Sequence, residues 1–231
     1  MNQDAKAYFI AGTDTDAGKT LVAAGLLAAA VKRGINCLGI KPVAAGCDVT
    51  EAGLRNDDAL KLLEQMNVPL SYEQVNPVAL QPPVAPHLAA RQCGLSLRLP
   101  ALVDHCRTVL AGFEGFALIE GAGGWRLPLN EDEYLSELPR QLGIPVILVV
   151  GMKLGCLNHA LLTLEAIERD GLVLAGWVAN AIDPGMQLFD ENLETLKQKI
   201  SAPLLGVIPP LAGEGKEQQA AGFLAVAPLL S

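Results

Sequence analysis

Short apolar runs alternate along the chain with longer segments in which apolar residues recur at helical spacing. Runs of strand length lie at residues 8–11, 35–41, 116–120, 144–151, 172–179 and 204–208. Segments with a helical pattern lie at 21–31, 87–92, 99–110, 187–200 and 217–230, and two more begin near residues 56 and 157. Continuous apolar strands that alternate with helices are typical of an α/β fold with a buried parallel sheet.

The connecting segments predict where regular structure stops. Residues 43–55 contain two glycines and are predicted to form a loop, and the proline-rich residues 68–86 are predicted to form an irregular surface excursion, a lid or shell. No linker rich in Ser and Gly or in charge divides the chain. We therefore expect a single domain over residues 1–231, an open, mainly parallel sheet with helices on both faces.

A glycine-bounded loop joins the first predicted strand to the first predicted helix. It runs from Gly12 to Thr20 and ends in Gly-Lys-Thr. The N–H groups of such a loop and of the following helix form an anion site, Lys19 adds charge for the outer phosphates, and the Thr20 hydroxyl can ligate Mg²⁺. Five residues separate its two glycines, where the common phosphate-loop pattern has four. The alternative is a surface turn, but the strand-loop-helix context favours nucleotide binding.

Charged residues also end two further predicted strands. Lys41 follows the second strand and Glu120 ends the one at 116–120. Because the carboxyl ends of parallel strands share one edge, we expect both beside the phosphate loop; the alternatives are a solvated surface lysine and a turn or cap carboxylate. Asn56, Asp57 and Asp58 begin a helix that any of them could cap, and spacing does not choose between the two aspartates as a Mg²⁺ ligand.

Two later segments carry groups suited to other parts of a ligand. The loop at 153–159 opens into a helix whose N-terminus can bind an anion. Asn180 follows the strand at 172–179, where its amide could read the edge of a nucleotide base.

Composition and charge narrow the function classes. Aromatic residues make up only 4% of the chain, so its core is built mainly from Ala, Leu, Val and Ile. A net charge of −8 without a basic face argues against a nucleic-acid partner. The five cysteines are odd in number and lack a CxxC pair, which indicates free thiols in a reducing compartment. The longest apolar runs fall well short of the ~20 residues that cross a bilayer, so we expect a cytoplasmic protein without a membrane partner.

Taken together, these motifs resemble the dethiobiotin synthetase family. The resemblance spans nearly the whole chain in matching order and is carried by GTDTDAGKT (12–20), KPVA (41–44), GLRN (53–56), EGAGGW (120–125), KLGCLNH (153–159) and GWVAN (176–180). It implies a homodimer that converts 7,8-diaminononanoate, CO₂ and Mg-ATP to dethiobiotin, ADP and phosphate. CO₂ adds to one amine to give a carbamate, a carbamate oxygen attacks the γ-phosphate, and the second amine closes the cyclic urea and expels phosphate.

The resemblance also assigns roles to residues. It places catalysis at Lys41, Lys19 and Thr15, and Mg²⁺ at Thr20, Asp58 and Glu120, which selects Asp58 over Asp57. It implies substrate contacts from Thr15, Lys41, Ala45, Leu154, Gly155, Cys156 and Asn158, with the 154–158 loop supplied by the neighbouring subunit. It implies nucleotide contacts from Asp16, Ala17, Gly18, Lys19, Thr20, Leu21, Asp58, Glu120, Gly121, Ala122, Gly123, Asn180, Ala181, Pro209, Pro210, Leu211 and Glu214.

Three positions depart from the family pattern. Ala45 stands where members often carry serine, Ala181 where some carry aspartate, and Pro210 where some carry an aromatic residue. The first predicts one hydroxyl contact fewer near the diamine. The absence of a carboxylate at Ala181 favours ATP over GTP, because nothing there would accept hydrogen bonds from guanine.

The main alternative is a partition- or septum-type ATPase switch that shares the phosphate loop. Such proteins carry an additional lysine beside the first glycine of the loop, where this chain has Gly12-Thr13-Asp14, and often a basic tail, whereas residues 217–231 contain no Lys or Arg. A glutamine-dependent amide synthetase would need an added glutaminase domain, for which we expect no room in this chain.

Overall fold

A six-stranded parallel sheet forms the centre of the fold in a computed structural model that describes residues 5–230. The strands described are β1 (Lys6–Gly12), β2 (Cys37–Ile40), β3 (Val43–Ala45), β4 (Asp48–Thr50), β5 (Gly53–Arg55), β6 (Val78–Leu80), β7 (Phe116–Glu120), β8 (Val146–Met152), β9 (Leu174–Ala181) and β10 (Leu204–Ile208). The central sheet has the order β10-β9-β8-β1-β7-β2, and all its neighbours are parallel. This confirms the predicted fold class.

The helices connect these strands across the sheet. They are α1 (Lys19–Val31), α2 (Asp57–Gln65), α3 (Tyr72–Val75), α4 (Pro86–Gln92), α5 (Leu99–Leu110), α6 (Glu137–Leu142), α7 (Cys156–Arg169), α8 (Phe189–Lys199) and α9 (Lys216–Ala220). Among the residues described, no helix is long and apolar enough to cross a membrane.

Side chains of the central strands alternate between two apolar cores, one on each face of the sheet. In β1, Phe9 and Ala11 pack with α4 to α8, whereas Ile10 packs with α1 and the C-terminal segment. In β8, Leu148 and Val149 divide between the same two cores. A strand buried on both faces needs apolar residues at every position, which explains its continuous apolar sequence.

The strand register brings the chemically active residues to one edge. Ile10 pairs with Glu120 and Ile40 with Ile119, so Gly12, Lys41 and Glu120 lie at the carboxyl ends of adjacent strands. β7 lies between β1 and β2, and β8 lies on the other side of β1. The connections leaving β1 and β7 therefore diverge at this edge, which is where open parallel sheets bind ligands.

Three predicted segments differ from the structure. Residues 43–55, predicted as a loop, contain β3 and an antiparallel hairpin of β4 and β5. Residues 68–86, predicted as irregular, contain α3, capped by Ser71, and β6, which pairs with β3. The helix predicted over 217–230 ends at Ala220, after which two short 3₁₀ turns, Ala221–Phe223 and Ala227–Leu229, follow. The elements in these three segments are only three to five residues long, and elements this short leave little local periodicity to detect.

Candidate functional site: a phosphate loop facing a buried ion pair

The phosphate loop turns directly into α1. Gly18 has a φ of +92°, in the left-handed region, and Lys19 is the first residue of the helix. A Cβ atom at Gly18 would lie 2.0 Å from Nδ2 of Asn180, which itself donates to the carbonyl of Ala17 at 3.0 Å. The position therefore requires glycine for its conformation and for the close approach of Asn180.

Lys19 reaches from the helix back across the loop. Its ammonium donates to the carbonyl of Gly123 at 2.7 Å and to that of Asp14 at 3.3 Å. These bonds occupy two of the three ammonium donors and leave one for a ligand. Burial and the nearby charge of Lys41 lower the pKa of Lys19 below its ordinary value.

Lys41 lies at the centre of a buried cluster of charge. Its ammonium donates to Oε1 of Glu120 at 2.6 Å, to Oδ2 of Asp58 at 2.8 Å and to the carbonyl of Gly121 at 3.2 Å. The Thr20 hydroxyl donates to the same Glu120 oxygen at 2.7 Å. Burial acts to lower the pKa of Lys41, but attraction by the two carboxylates outweighs it, so the pKa is raised and the side chain is a cation.

The local structure separates the roles of the three polar residues that begin α2. Asn56 caps the helix by accepting from the N–H of Ala59, and Asp57 pairs with Lys61 one turn along on the surface. Asp58 faces inward to Lys41. Burial acts to raise the pKa of Asp58, but Lys41 outweighs that effect and holds it below its usual value.

The oxygen ligands at this edge of the sheet suit a magnesium ion that is bound together with phosphate. Glu120 is 1% exposed, and its second oxygen, Oε2, is a buried acceptor without a hydrogen-bond partner. Such an atom is costly to bury unless a donor or a cation meets it. No group of three or more His, Cys, Asp or Glu side chains suited to a metal occurs in residues 5–230. Mg²⁺ commonly needs only one or two protein carboxylates, because phosphate and water complete its shell.

A cavity of 740 Å³ is lined by all the predicted catalytic and metal-binding residues. The predicted residues that line it are Thr15, Asp16, Gly18, Lys19, Thr20, Lys41, Ala45, Asp58, Glu120, Ala122 and Gly123. Ala17 and Gly121 lie beside them in the same two loops, and Leu21 lies in the first turn of α1. The cavity also contains residues that sequence reasoning missed: Ala44, Asn56, Leu127 and the Pro83–Pro86 segment. The clustered prolines predicted that this segment forms a lid or shell, but they did not indicate that it lines this cavity.

Residues predicted at the nucleoside end lie elsewhere. Asn180 is buried against the phosphate loop, while Ala181, Pro209 and Pro210 line a separate cavity of 370 Å³ beyond the ends of β9 and β10. Leu211 is half-buried and Glu214 is exposed. Met186, Phe189 and Phe223 add apolar surface to that cavity, and no local sequence pattern marks them as site residues.

The predicted loop at 153–159 is shorter in the structure, because α7 already begins at Cys156, and residues 154–158 do not line the 740 Å³ cavity of their own chain. Leu154 is 94% exposed, Gly155 and Asn158 are exposed, and the Cys156 side chain is buried. Lys153, just before this loop, forms an ion pair with Asp14 of the phosphate loop at 3.0 Å. That hydrogen bond, opposed by weak burial, lowers the pKa of Asp14. The loop is thus connected to the phosphate site but directed away from it.

Sheet order, strand-loop-helix geometry and the loop itself define a nucleotide-binding protein of the P-loop NTPase fold. A family model described as an AAA domain matches residues 6–218. The chain is 57% identical to an ATP-dependent dethiobiotin synthetase of Cellvibrio japonicus, covering 97% of this chain and 98% of the relative. A relative of the same name from Pseudomonas paraeruginosa is 55% identical, with 93% and 94% covered. The chain belongs to the dethiobiotin synthetase family.

A comparison of structures bears on the alternative function. The MinC:MinD cell division protein complex of Aquifex aeolicus matches with a TM-score of 0.56 and 18% identity, covering 93% of this chain and 86% of that one. At this identity the similarity shows a shared fold alone. The high identity to synthetases over nearly the full length decides against the septum-type switch.

Proposed function

We propose that this chain is an ATP-dependent dethiobiotin synthetase that converts 7,8-diaminononanoate, CO₂ and ATP to dethiobiotin, ADP and phosphate. The observation that carries the proposal is the convergence of two lysine ammonium groups, Lys19 and Lys41, on one cavity at the phosphate loop. A ligase of this kind must hold a carbamate anion against a triphosphate. Two buried cations at that point offset the repulsion between the reacting anions.

Thr20, Asp58 and Glu120 would hold Mg²⁺, with the unpartnered Oε2 of Glu120 as the strongest indication. When bound, the metal supplies positive charge to the β- and γ-phosphates and makes the γ-phosphorus a better electrophile. The other tasks fall to groups of the chain itself.

In the proposed mechanism, Lys19 and the N–H groups of residues 16 to 21 bind the phosphates. Lys41 and Thr15 orient the carbamate so that its oxygen meets the γ-phosphorus in line with the leaving ADP oxygen. Glu120 and Asp58 outweigh burial and raise the pKa of Lys41 before the metal binds, so Lys41 enters the reaction as a cation, and we assign it a role by charge and not as a general base. Closure of the urea then expels phosphate, whose negative charge the two ammonium groups stabilise.

We further propose that the active site is shared between two subunits of a homodimer. The exposed N-terminus of α7, with Leu154, Gly155, Cys156 and Asn158, would receive the carboxylate of the diamine from a neighbouring chain. Leu154, just before α7, is 94% exposed, and Leu162, on α7, is 56% exposed. Apolar side chains this exposed are suited to burial against a second copy.

The remaining assignments belong to the same proposal. The nucleoside would lie between Asn180 and Ala181 on one side and Pro209, Pro210, Leu211 and Glu214 on the other, and residues 1–231 would act as one domain. A cytoplasmic location agrees with the five cysteines, each of which is a free thiol.

The proposed function is tested by incubating the protein with 7,8-diaminononanoate, bicarbonate, Mg²⁺ and ATP and analysing the products by mass spectrometry. We expect one dethiobiotin and one ADP per turnover, and no product when any component is omitted. ATP hydrolysis that does not depend on the diamine, without a cyclic urea, would instead support a switch-type ATPase.

A further inference from the structure

Asp170 clamps the two residues that follow the glycine loop, defined here as residues 121–124. Its Oδ2 accepts from the indole N–H of Trp125 at 2.8 Å and from Arg126 Nη1 at 2.7 Å, while Oδ1 accepts from Arg126 Nη2 at 2.8 Å. A bidentate pair of this type fixes both position and orientation. Asp170 itself is held at the C-terminal cap of α7.

The clamped segment continues into the interior of the fold. The Trp125 side chain is 5% exposed, and its ring meets that of Phe9 edge-on, with centroids 6.1 Å apart. At the other end of the glycine loop, a Cβ atom on Gly121 would lie 2.8 Å from Phe9. Both ends of the loop are therefore packed on one β1 side chain, and both have a charged anchor: Lys41 donates to the Gly121 carbonyl at 3.2 Å, and Asp170 holds the Trp125 end.

The glycine loop in turn determines where Lys19 points. The Gly123 carbonyl is the closer of the two acceptors that hold the Lys19 ammonium, at 2.7 Å against 3.3 Å for Asp14. A displacement of this carbonyl would redirect the remaining donor of the ammonium, which we have assigned to phosphate.

We infer that Asp170 is a positioning residue for nucleotide binding, which acts through Trp125 and Arg126 to fix the glycine loop and thereby aim Lys19. The inference rests on the proposed function only in taking the bound ligand to be a nucleotide. It assigns a role in the phosphate site to a residue at the far end of α7, a helix of 14 residues and so about 21 Å long.

Asp170→Asn keeps the size of the side chain and removes its charge and its bidentate acceptor. We expect the Kd for Mg-ADP, measured by titration calorimetry, to rise about tenfold, the scale of a weakened charge-assisted hydrogen bond. The KM for ATP should rise in parallel, while the KM for the diamine stays unchanged. Asp170→Glu, which retains both oxygens and the charge, should recover part of the loss.

Glu133→Gln is the matched control. The Glu133 side chain is 20% exposed against 19% for Asp170, and it also anchors a loop, through the N–H of Leu99 and the amide of Asn130. This variant should lose stability to urea without a change in the Kd for Mg-ADP. Should Asp170→Asn fail to fold, Trp125→Phe removes the indole donor together with part of the buried ring, keeps the bidentate Arg126 pair and should raise the Kd by a smaller factor.

The inference is overturned if folded Asp170→Asn, or folded Trp125→Phe where the former does not fold, binds Mg-ADP as wild type does. It is equally overturned if Glu133→Gln weakens binding as much. Because ADP binding needs no turnover, the proposed function fails separately, by the absence of dethiobiotin from the wild-type protein.

Discussion

Nζ of Lys41 and Oε1 of Glu120 lie 2.6 Å apart, with both side chains almost fully excluded from solvent. Asp58 completes the cluster from α2. A buried ion pair contributes little net stability, since desolvation offsets its attraction, but removal of one partner leaves an uncompensated charge. This pair is therefore best understood as the source of a fixed cation beside the phosphate loop.

Replacement of Lys41 by methionine should separate stability from catalysis. Without Mg²⁺, the two unpaired carboxylates should lower the free energy of unfolding by about 3 kcal/mol. Urea unfolding with and without Mg²⁺ measures this loss, which the metal should partly restore. Turnover should fall by about 10² to 10³-fold, with a much smaller effect on the Kd for Mg-ADP. Near-normal product formation would remove Lys41 from the mechanism.

The two adjacent aspartates provide a paired test of the metal site. Asp58→Asn should raise the Mg²⁺ concentration for half-maximal activity by about tenfold, because a neutral amide is a weaker ligand for a hard cation. Asp57→Asn should leave this concentration unchanged, since Asp57 pairs with Lys61 on the surface. Magnesium titration of initial rates makes the measurement, and an equal effect of both substitutions would contradict the assignment of Asp58.

Gly18 and Gly171 both have a left-handed backbone, and replacing each by alanine distinguishes backbone strain from a steric collision at the nucleotide site. Gly18→Ala should weaken Mg-ADP binding by more than about tenfold, because its Cβ would collide with Asn180. Gly171→Ala, at a φ of +77° with no atom within 4 Å of the new Cβ, should cost only about 1 kcal/mol of stability. Calorimetry and thermal unfolding of both variants test this; intact binding by Gly18→Ala would show that the loop can move.

Nucleotide affinity should fall at alkaline pH, starting below the ordinary lysine pKa of 10.5. Burial and Lys41 lower the pKa of Lys19 in the free protein, whereas phosphate favours its charged form. At a pH above the lowered pKa, nucleotide binding therefore requires Lys19 to take up a proton, and the Kd rises by up to about tenfold per pH unit. A Kd for ADP that stays constant to pH 10.5 would exclude this titration; Lys19→Arg should show no such dependence, because arginine remains charged.

Sequence reasoning succeeded where a local pattern carries the information. The bounds of β7, β10 and α5 agree with the predicted runs at 116–120, 204–208 and 99–110, because these elements bury continuous or periodic apolar faces. The placement of Lys41 and Glu120 at one edge followed from parallel strands alone.

Features that depend on distant pairing could not be predicted in the same way. β3 and β6 pair across more than thirty residues, and neither is longer than 3 residues. Asp170 contacts Trp125 and Arg126, which lie 45 and 44 residues earlier in the chain, so no local pattern indicates these contacts. An aspartate followed by glycine is explained equally well by the end of a helix. Asp58 was distinguished from Asp57 by family resemblance, whereas the structure does so through Lys61 and Lys41.

The central claim is that the site brings a carbamate oxygen to the γ-phosphorus of ATP. It is tested most directly by a single turnover started with freshly dissolved C¹⁸O₂, the diamine and Mg-ATP. Attack by the carbamate predicts that the phosphate released carries one ¹⁸O atom and the urea carbonyl retains the other. Dethiobiotin formed together with unlabelled phosphate would contradict the claim.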